Sequence, residues 1–242
     1  MMTEGGDSWW RAGFHRLRDL VVPDECGGCG GRPPPGRAVC EGCRAVLAGS
    51  PVLRRRLPGL VVLSGWPYQG VARSCLLAFK DGGRRDLAGV VAARLARLPV
   101  LAGPEPVVLV PVPSTRRARR RRGFDHAATL AARVAAGRPG TWWVPALGSR
   151  DRPDSAGLSA THRRSAAEAA TYPRRSALSR LRRLGRGSRI VLVDDIVTTG
   201  AALTAARRAL RREGLLVNAA ITGATALRRV ESDPDLMMTS AL

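Results

Sequence analysis

The chain has 242 residues, 45% of them hydrophobic, enough for one α/β domain with a small accessory module and too apolar for global disorder. No apolar run approaches the roughly 18 residues of a bilayer span, and no basic region leads into an apolar stretch at the N-terminus, so a cytoplasmic chain without signal peptide or membrane span is expected. Forty basic residues against 19 acidic ones give a formal net charge of +21. Coding bias can favour arginine over lysine but does not produce this surplus, which points to polyanionic partners: phosphorylated metabolites, nucleic acid or both.

Residues 8–22 place Trp10, Phe14, Leu17 and Val21 at helical spacing, predicting an amphipathic helix that ends at Pro23 within an N-terminal segment 1–22. Residues 23–50 hold Cys26, Cys29, Cys40 and Cys43 as CxxC-x10-CxxC, separated by a turn-rich Gly/Pro stretch. Without a secretion signal, paired CxxC units point to metal rather than disulfides. Two knuckles supply four thiolates to one tetrahedral zinc ion with no open position, so the metal is expected to be structural. Gly27, Gly28 and Gly42 are expected in the turns. Cys75, alone on a predicted apolar helix face, reads as core.

A linker with Arg54, Arg55, Arg56 and Pro58 leads to a strand over Leu60–Trp66. Helices are predicted over Gly70–Phe79 and Asp86–Leu98, a strand over Pro106–Val112, a helix over Phe124–Ala136 and a further strand within Thr141–Leu147. A long loop spans 148–160, and a second arginine-rich stretch spans 173–187. Then come strand Arg189–Val193, loop Asp194–Gly200, helix Ala201–Glu213 and strand Leu216–Thr222, with a fraying tail over 229–242. Continuous apolar strands separated by helices predict a mostly parallel sheet buried on both faces, in a domain over 60–228.

Two strand ends carry chemistry. The apolar strand Ile190–Val193 is expected to stop at adjacent carboxylates, Asp194 and Asp195, followed by Ile196, Val197, Thr198, Thr199 and Gly200 and an alanine-rich helix. Ligands of α/β sheets sit beyond the carboxyl ends of strands. A loop entering a helix offers free N–H groups and a positive dipole end to an anion. The threonines add hydroxyls, and Gly200 allows close backbone approach. Two carboxylates beside a phosphate make sense where the ligand also presents a ribose diol, with Mg2+ near the same carboxylates. There is no Gly-Lys-Ser/Thr and no GxGxxG, which excludes a nucleoside-triphosphate P-loop and a dinucleotide fingerprint.

The second strand end runs through Val112 and Pro113 into Ser114, Thr115 and then Arg116, Arg117, Arg119, Arg120, Arg121 and Arg122, six arginines in seven residues. Read as a basic loop, this run needs an anion or full solvation. Arginine forks suit pyrophosphate and nucleic-acid phosphates alike. Lys80, the only lysine, is either a compact cation for the same ligand or a cation placed at a helix end. Ser114 and Lys80 are counted with the ligand site. His15, His126 and His162 make no serine–histidine–aspartate arrangement, and no catalytic residue is assigned.

The string VDDIVTTGA resembles the phosphoribosyl-pyrophosphate signature of type I phosphoribosyltransferases. PVPS, the basic run, RRRGFDHAATLA and VDDIVTTGA, in that order, resemble ComF-type competence proteins. The likeness extends to the cysteine module, to Tyr68–Arg73 and Phe79–Arg84, and to Arg150–Arg164, covering about residues 20 to 225. The resemblance implies a type I phosphoribosyltransferase-like α/β fold with a small N-terminal zinc-binding module. It assigns the ribose hydroxyls to Asp194 and Asp195 and the 5-phosphate to Ile196–Gly200. The chain departs from the family's usual glutamine at Ser155 and usual asparagine near Ala166, in or just after the hood loop.

Two functions follow. One is a ComF-like protein that binds phosphoribosyl pyrophosphate or a related ribose 5-phosphate compound with Mg2+. This protein would be linked to single-stranded DNA uptake in natural transformation, with other competence or helicase proteins as partners. The other is an active phosphoribosyltransferase of nucleotide metabolism with an unidentified acceptor. Ser155 and Ala166 favour weak or absent turnover.

Overall fold

The computed structural model describes residues 24–150, 169–217, 219–226 and, as backbone, 236–239. The helix expected over 8–22, most of the hood loop, Ser155, His162 and Ala166 lie outside the described residues. In chain order the helices are α1 (Glu41–Gly49), α2 (Gly70–Lys80), α3 (Ala88–Leu95), α4 (Arg116–Arg122), α5 (His126–Ala136), α6 (Arg175–Gly185) and α7 (Ala201–Arg212). The strands are β1 (Val52–Leu57), β2 (Leu60–Pro67), β3 (Val107–Pro111), β4 (Thr141–Trp143), β5 (Leu147–Ser149), β6 (Thr171–Pro173), β7 (Arg189–Val197), β8 (Ala219–Thr225) and β9 (Leu236–Thr239).

Seven strands form one sheet in the order β4-β3-β7-β8-β2-β1-β9, parallel from β4 to β2 and antiparallel across β1 and β9. Its two faces follow from the two-residue alternation of apolar strands. Val107, Leu109, Val191, Val193 and Ile221 pack under α2, α3 and α5. Val108, Val110, Ile190, Leu192 and Ala220 pack under α6 and α7. Each fully buried leucine or valine contributes about 1.5–3 kcal/mol, so both faces hold the parallel strands in register. β5 and β6 pair antiparallel as a separate ribbon flanking 151–168. No helix among the described residues is long and apolar enough to cross a membrane.

Four sequence expectations change. The arginine linker is in part strand: β1 folds back on β2 through a two-residue Pro58-Gly59 turn, with Gly59 at φ +68°. Within the expected fraying tail, 236–239 adds strand β9 against β1. The helix expected over Asp86–Leu98 is a 3-10 turn at Arg85–Leu87 followed by α3. The strand expected within Thr141–Leu147 is divided between β4 and β5, with Pro145 between them.

The cysteine module packs into the same core as α2 and α3. Cys26, Cys43 and Leu47 are buried with Trp66 and Leu87, and Trp66 Nε1 donates to the Leu47 carbonyl at 2.9 Å. Arg84 ties the two parts together. Its guanidinium pairs with Asp86 at 2.7 Å and donates to the carbonyls of Glu25 at 2.9 Å and Ala38 at 3.5 Å.

Candidate functional site

Two groups of residues have the density of chemistry that a site requires. The first lies at the carboxyl edge of the parallel strands, where β3, β7 and β2 end around a cleft of about 610 Å³. β7 does not stop at its carboxylates as the sequence suggests. It stays paired with β8 through Asp194↔Thr222, Ile196↔Ala224 and Val197↔Thr225. Both aspartates therefore stand on rigid strand backbone, and only Thr198, Thr199 and Gly200 remain as loop.

The aspartates are electrostatically opposite. Asp195 is 6% exposed. Burial disfavours its charge, but the Lys80 ammonium 2.9 Å away outweighs burial and holds the carboxyl below its usual value. Asp195 Oδ1 also accepts the Ile196 N–H at 2.8 Å. Asp194 feels the same ammonium more weakly: burial first, then the neighbouring Asp195 charge, outweigh Lys80 and push its carboxyl well above the ordinary range. Lys80, at the C-terminal end of α2, keeps its proton because the Asp195 charge overcomes the cost of burying an ammonium.

The same cleft takes part of the arginine run. The run is a helix, α4, not the loop the sequence suggests. Thr115 caps it by accepting the Ala118 N–H at 3.2 Å, and Gly123 closes it at φ +77°. Arginine has good helix propensity, and these two caps decide the local fold. Helical spacing then divides the arginines. Arg117, Arg121 and Arg122 line the cleft with Ser114 and Thr115, whereas Arg116, Arg119 and Arg120 do not. Asp81 sits 3.3 Å from Arg122 Nε and 3.7 Å from Arg121, relieving part of the like-charge repulsion.

The remaining expected residues divide likewise. Asp194, Asp195, Ile196, Thr198, Ser114 and Lys80 line the cleft. The Val197 side chain is 2% exposed and belongs to the core, so it can offer a ligand only its backbone. Thr199 Oγ1 accepts the Ala201 N–H at 3.4 Å at the start of α7. Gly200 has φ +76°, and a Cβ there would lie 2.5 Å from Leu57 of β1. Its smallness serves packing against β1 as well as the left-handed turn. Arg55 of β1 donates to the Thr198 carbonyl, bracing the loop from outside.

Sequence reasoning missed Tyr68, Asp81 and His126, all of which line the cleft. His126 is buried in edge contact with Phe79 and Phe124, with Nε2 3.0 Å from the Lys80 carbonyl. Burial holds its pKa below the usual value. The available signal was Asp125, which caps α5 through the Ala128 N–H and so fixes His126 in the first turn.

The second group is the cysteine cluster. The four sulfurs of Cys26, Cys29, Cys40 and Cys43 lie within 4.8 Å of one another. The Cys29–Cys40 sulfur separation is 3.8 Å, matching the edge of about 3.8 Å of a tetrahedron with Zn–S bonds of about 2.3 Å. Cys26 Sγ accepts N–H groups of Gly28 at 3.4 Å and Cys40 at 3.2 Å. Burial opposes its thiolate, yet donation from Cys29, Cys40 and Gly28 lowers its pKa to about 6. The donor set thus fits a structural zinc ion. Gly27 and Gly28 lie in the turn after Cys26, as expected, and their smallness also serves packing: a Cβ on Gly28 would meet Cys43 Sγ at 2.7 Å, and one on Gly27 would meet Leu87 at 2.7 Å. Gly42 lies inside α1 with open space around it. Cys75 is core, and burial pushes its thiol up to about 12.

Comparison with known proteins adds one match. The family model of the phosphoribosyl transferase domain matches residues 121–238, from the last turn of α4 through Asp194, Asp195 and the following loop to β9. No curated protein matches the chain. The chain thus carries a phosphoribosyltransferase-type domain on a mostly parallel sheet flanked by helices, with a four-cysteine cluster compatible with zinc on its N-terminal side.

Proposed function

We propose that this chain binds phosphoribosyl pyrophosphate, or a related ribose 5-phosphate compound, in the cleft beyond β3 and β7. The observation that carries the reading is that one cleft is lined both by Asp194 and Asp195 and by Arg117, Arg121 and Arg122. A ligand with hydroxyls at one place and phosphates at two others satisfies both. Asp194 and Asp195 accept from the ribose diol. The N–H groups that open α7, with Thr198 and Thr199, receive the 5-phosphate. The α4 arginines and Ser114 receive the pyrophosphate. Lys80 keeps Asp195 charged until the ligand arrives.

Asp194 is the residue to hold Mg2+, because a cation would offset the burial and like charge that now disfavour its ionised form. When bound, the ion neutralises pyrophosphate charge. A second reading makes the chain an active phosphoribosyltransferase, in which an acceptor displaces pyrophosphate at the anomeric carbon. Ser155 and Ala166 favour binding with little turnover. The order of motifs and the zinc-compatible cluster further favour a ComF-like cytoplasmic role in handling single-stranded DNA during natural transformation, alongside other competence or helicase proteins.

Calorimetric titration with phosphoribosyl pyrophosphate, with and without Mg2+, tests the reading. Binding that strengthens with Mg2+ and weakens at least about tenfold in Arg117→Ala/Arg121→Ala is expected. No heat of binding under any Mg2+ concentration sinks it.

A further inference from the structure

The edge of the sheet opposite the cleft carries a second concentration of charge. α6 leads into β7 and α7 into β8, so both helices run from the cleft edge and end at the far edge. α6 contributes Arg175, Arg180, Arg182 and Arg183; α7 contributes Arg207, Arg208, Arg211 and Arg212; neither helix contains an acidic residue. Their last turns meet there, since Arg182 Nη2 lies 2.9 Å from Glu213 just beyond α7. Arg208, Arg211 and Arg212 line a shallow concavity of about 400 Å³. A cation or two in a last turn is favoured by the helix dipole. Arg183, Arg211 and Arg212 are exposed on the two adjacent last turns, a density of cations that exceeds what that effect explains and suits an external polyanion.

One exposed aromatic residue lies on the same face, at the same end of the sheet. In the edge strand β4, Trp142 pairs with Val108 at the start of β3. Val108 and Val144 both belong to the core beneath α6 and α7, so strand alternation puts Trp142 on that face. It is 39% exposed, and among the described residues it is the only aromatic on the open surface. The leucines of the two helices, Leu178, Leu181, Leu203 and Leu210, are buried in the core. Just past α7, Leu216 is 75% exposed, a single aliphatic side chain among these arginines and too little apolar surface to enter a lipid layer.

We infer that this far edge is a binding track for single-stranded nucleic acid, with the α6 and α7 arginines taking phosphates and the Trp142 indole stacking on a base. Arginine supplies the sequence-independent grip, and an exposed indole distinguishes a single strand, whose base faces are open, from a duplex. β7 spans nine residues, or about 30 Å at about 3.3 Å per residue, so the track and the cleft can be filled together. The inference rests on the nucleic-acid part of the proposed function and is independent of the cleft.

Fluorescence anisotropy with a labelled oligothymidylate, measured across a salt series, tests it. In Arg183→Glu/Arg211→Glu/Arg212→Glu the affinity falls at least about tenfold, and the slope of log affinity against log salt shrinks by about 2, at about 0.7 for each phosphate no longer neutralised. In Trp142→Ala the affinity falls about 5- to 150-fold, and Trp142→Phe restores most of it. Melting temperatures and affinity for phosphoribosyl pyrophosphate stay at the wild-type values, which separates loss of the track from loss of the fold. Wild-type affinity in both the triple variant and Trp142→Ala overturns the track. If Arg117→Glu/Arg121→Glu then abolishes binding, nucleic-acid binding stands and its place is α4. Equal binding of a duplex with no effect of Trp142→Ala overturns the single-strand assignment. Absence of salt-dependent binding by the wild type overturns both the track and the nucleic-acid part of the proposed function.

Discussion

The cysteine cluster and the aspartate cleft are both polar groups set against one apolar core, and they are built in opposite ways. In the cluster, four like ligands from 18 consecutive positions, Cys26 to Cys43, converge and leave no place for anything but an ion. In the cleft, unlike charges from α2, α4 and β7 meet around open space, and two adjacent carboxylates are driven in opposite pKa directions. Closed and uniform coordination makes a staple; open and frustrated charge makes a binding site. The contrast predicts that damage to the first region is read as stability and damage to the second as affinity.

The largest effect is expected at the cluster. Chelation, or Cys26→Ser/Cys43→Ser, removes metal binding that is also folding energy. The module shares its core with Trp66 and Leu87, so the melting temperature should drop by about 10 °C or more, at about 2–4 °C per kcal/mol for a chain of this size. Calorimetric melting with metal analysis checks this. An unchanged melting point after complete metal removal breaks the comparison.

The two aspartates should separate next. Asp195→Asn strips Lys80 of its counter-ion and should destabilise the apo protein by about 1–3 kcal/mol. Asp194→Asn removes a carboxyl whose charge burial already opposes, and should be neutral or mildly stabilising in denaturant titrations. Equal destabilisation by both would show that the opposed environments of the pair are misread.

Arg84→Ala should fall between the regions. It cuts the bonds to Glu25 and Ala38, loosening module from domain by about 1–3 kcal/mol and speeding metal extraction by a chelator. The smallest effect is expected at His126. Its pKa is depressed by burial, so its contribution is present above the unfolded value of about 6.5 and is lost as pH falls below it. Unfolding free energies at pH 7.5 and pH 5 should differ less in His126→Gln than in the wild type.

How much of this was legible in the sequence depended on how local each feature is. The cysteine spacing and the string from Ile190 to Gly200 are contiguous, and their chemistry can be read from residue types alone. Lys80 was marked only by being the one lysine of the chain; Tyr68 and Asp81 join the cleft because the ends of β2 and α2 come beside β7, and nothing local marks them. The arginine run misled because charge density suggested solvated coil, whereas Thr115 and Gly123 supply the two caps of a helix. β1 was hidden because its share of the core comes mainly from Val52 and Leu53, with three arginines following. The pairing partner β2, not its own periodicity, makes it a strand.

The central claim is that Asp194 and Asp195 face the sugar of a ribose 5-phosphate ligand. A crystal soaked with phosphoribosyl pyrophosphate and Mg2+ tests it most directly. The account requires ribose hydroxyl oxygens within about 2.6–3.2 Å of the two carboxylates and the 5-phosphate on the N–H groups between Thr198 and Ala201. Ligand density elsewhere on the molecule, with both carboxylates left empty in a fully soaked crystal, would contradict it.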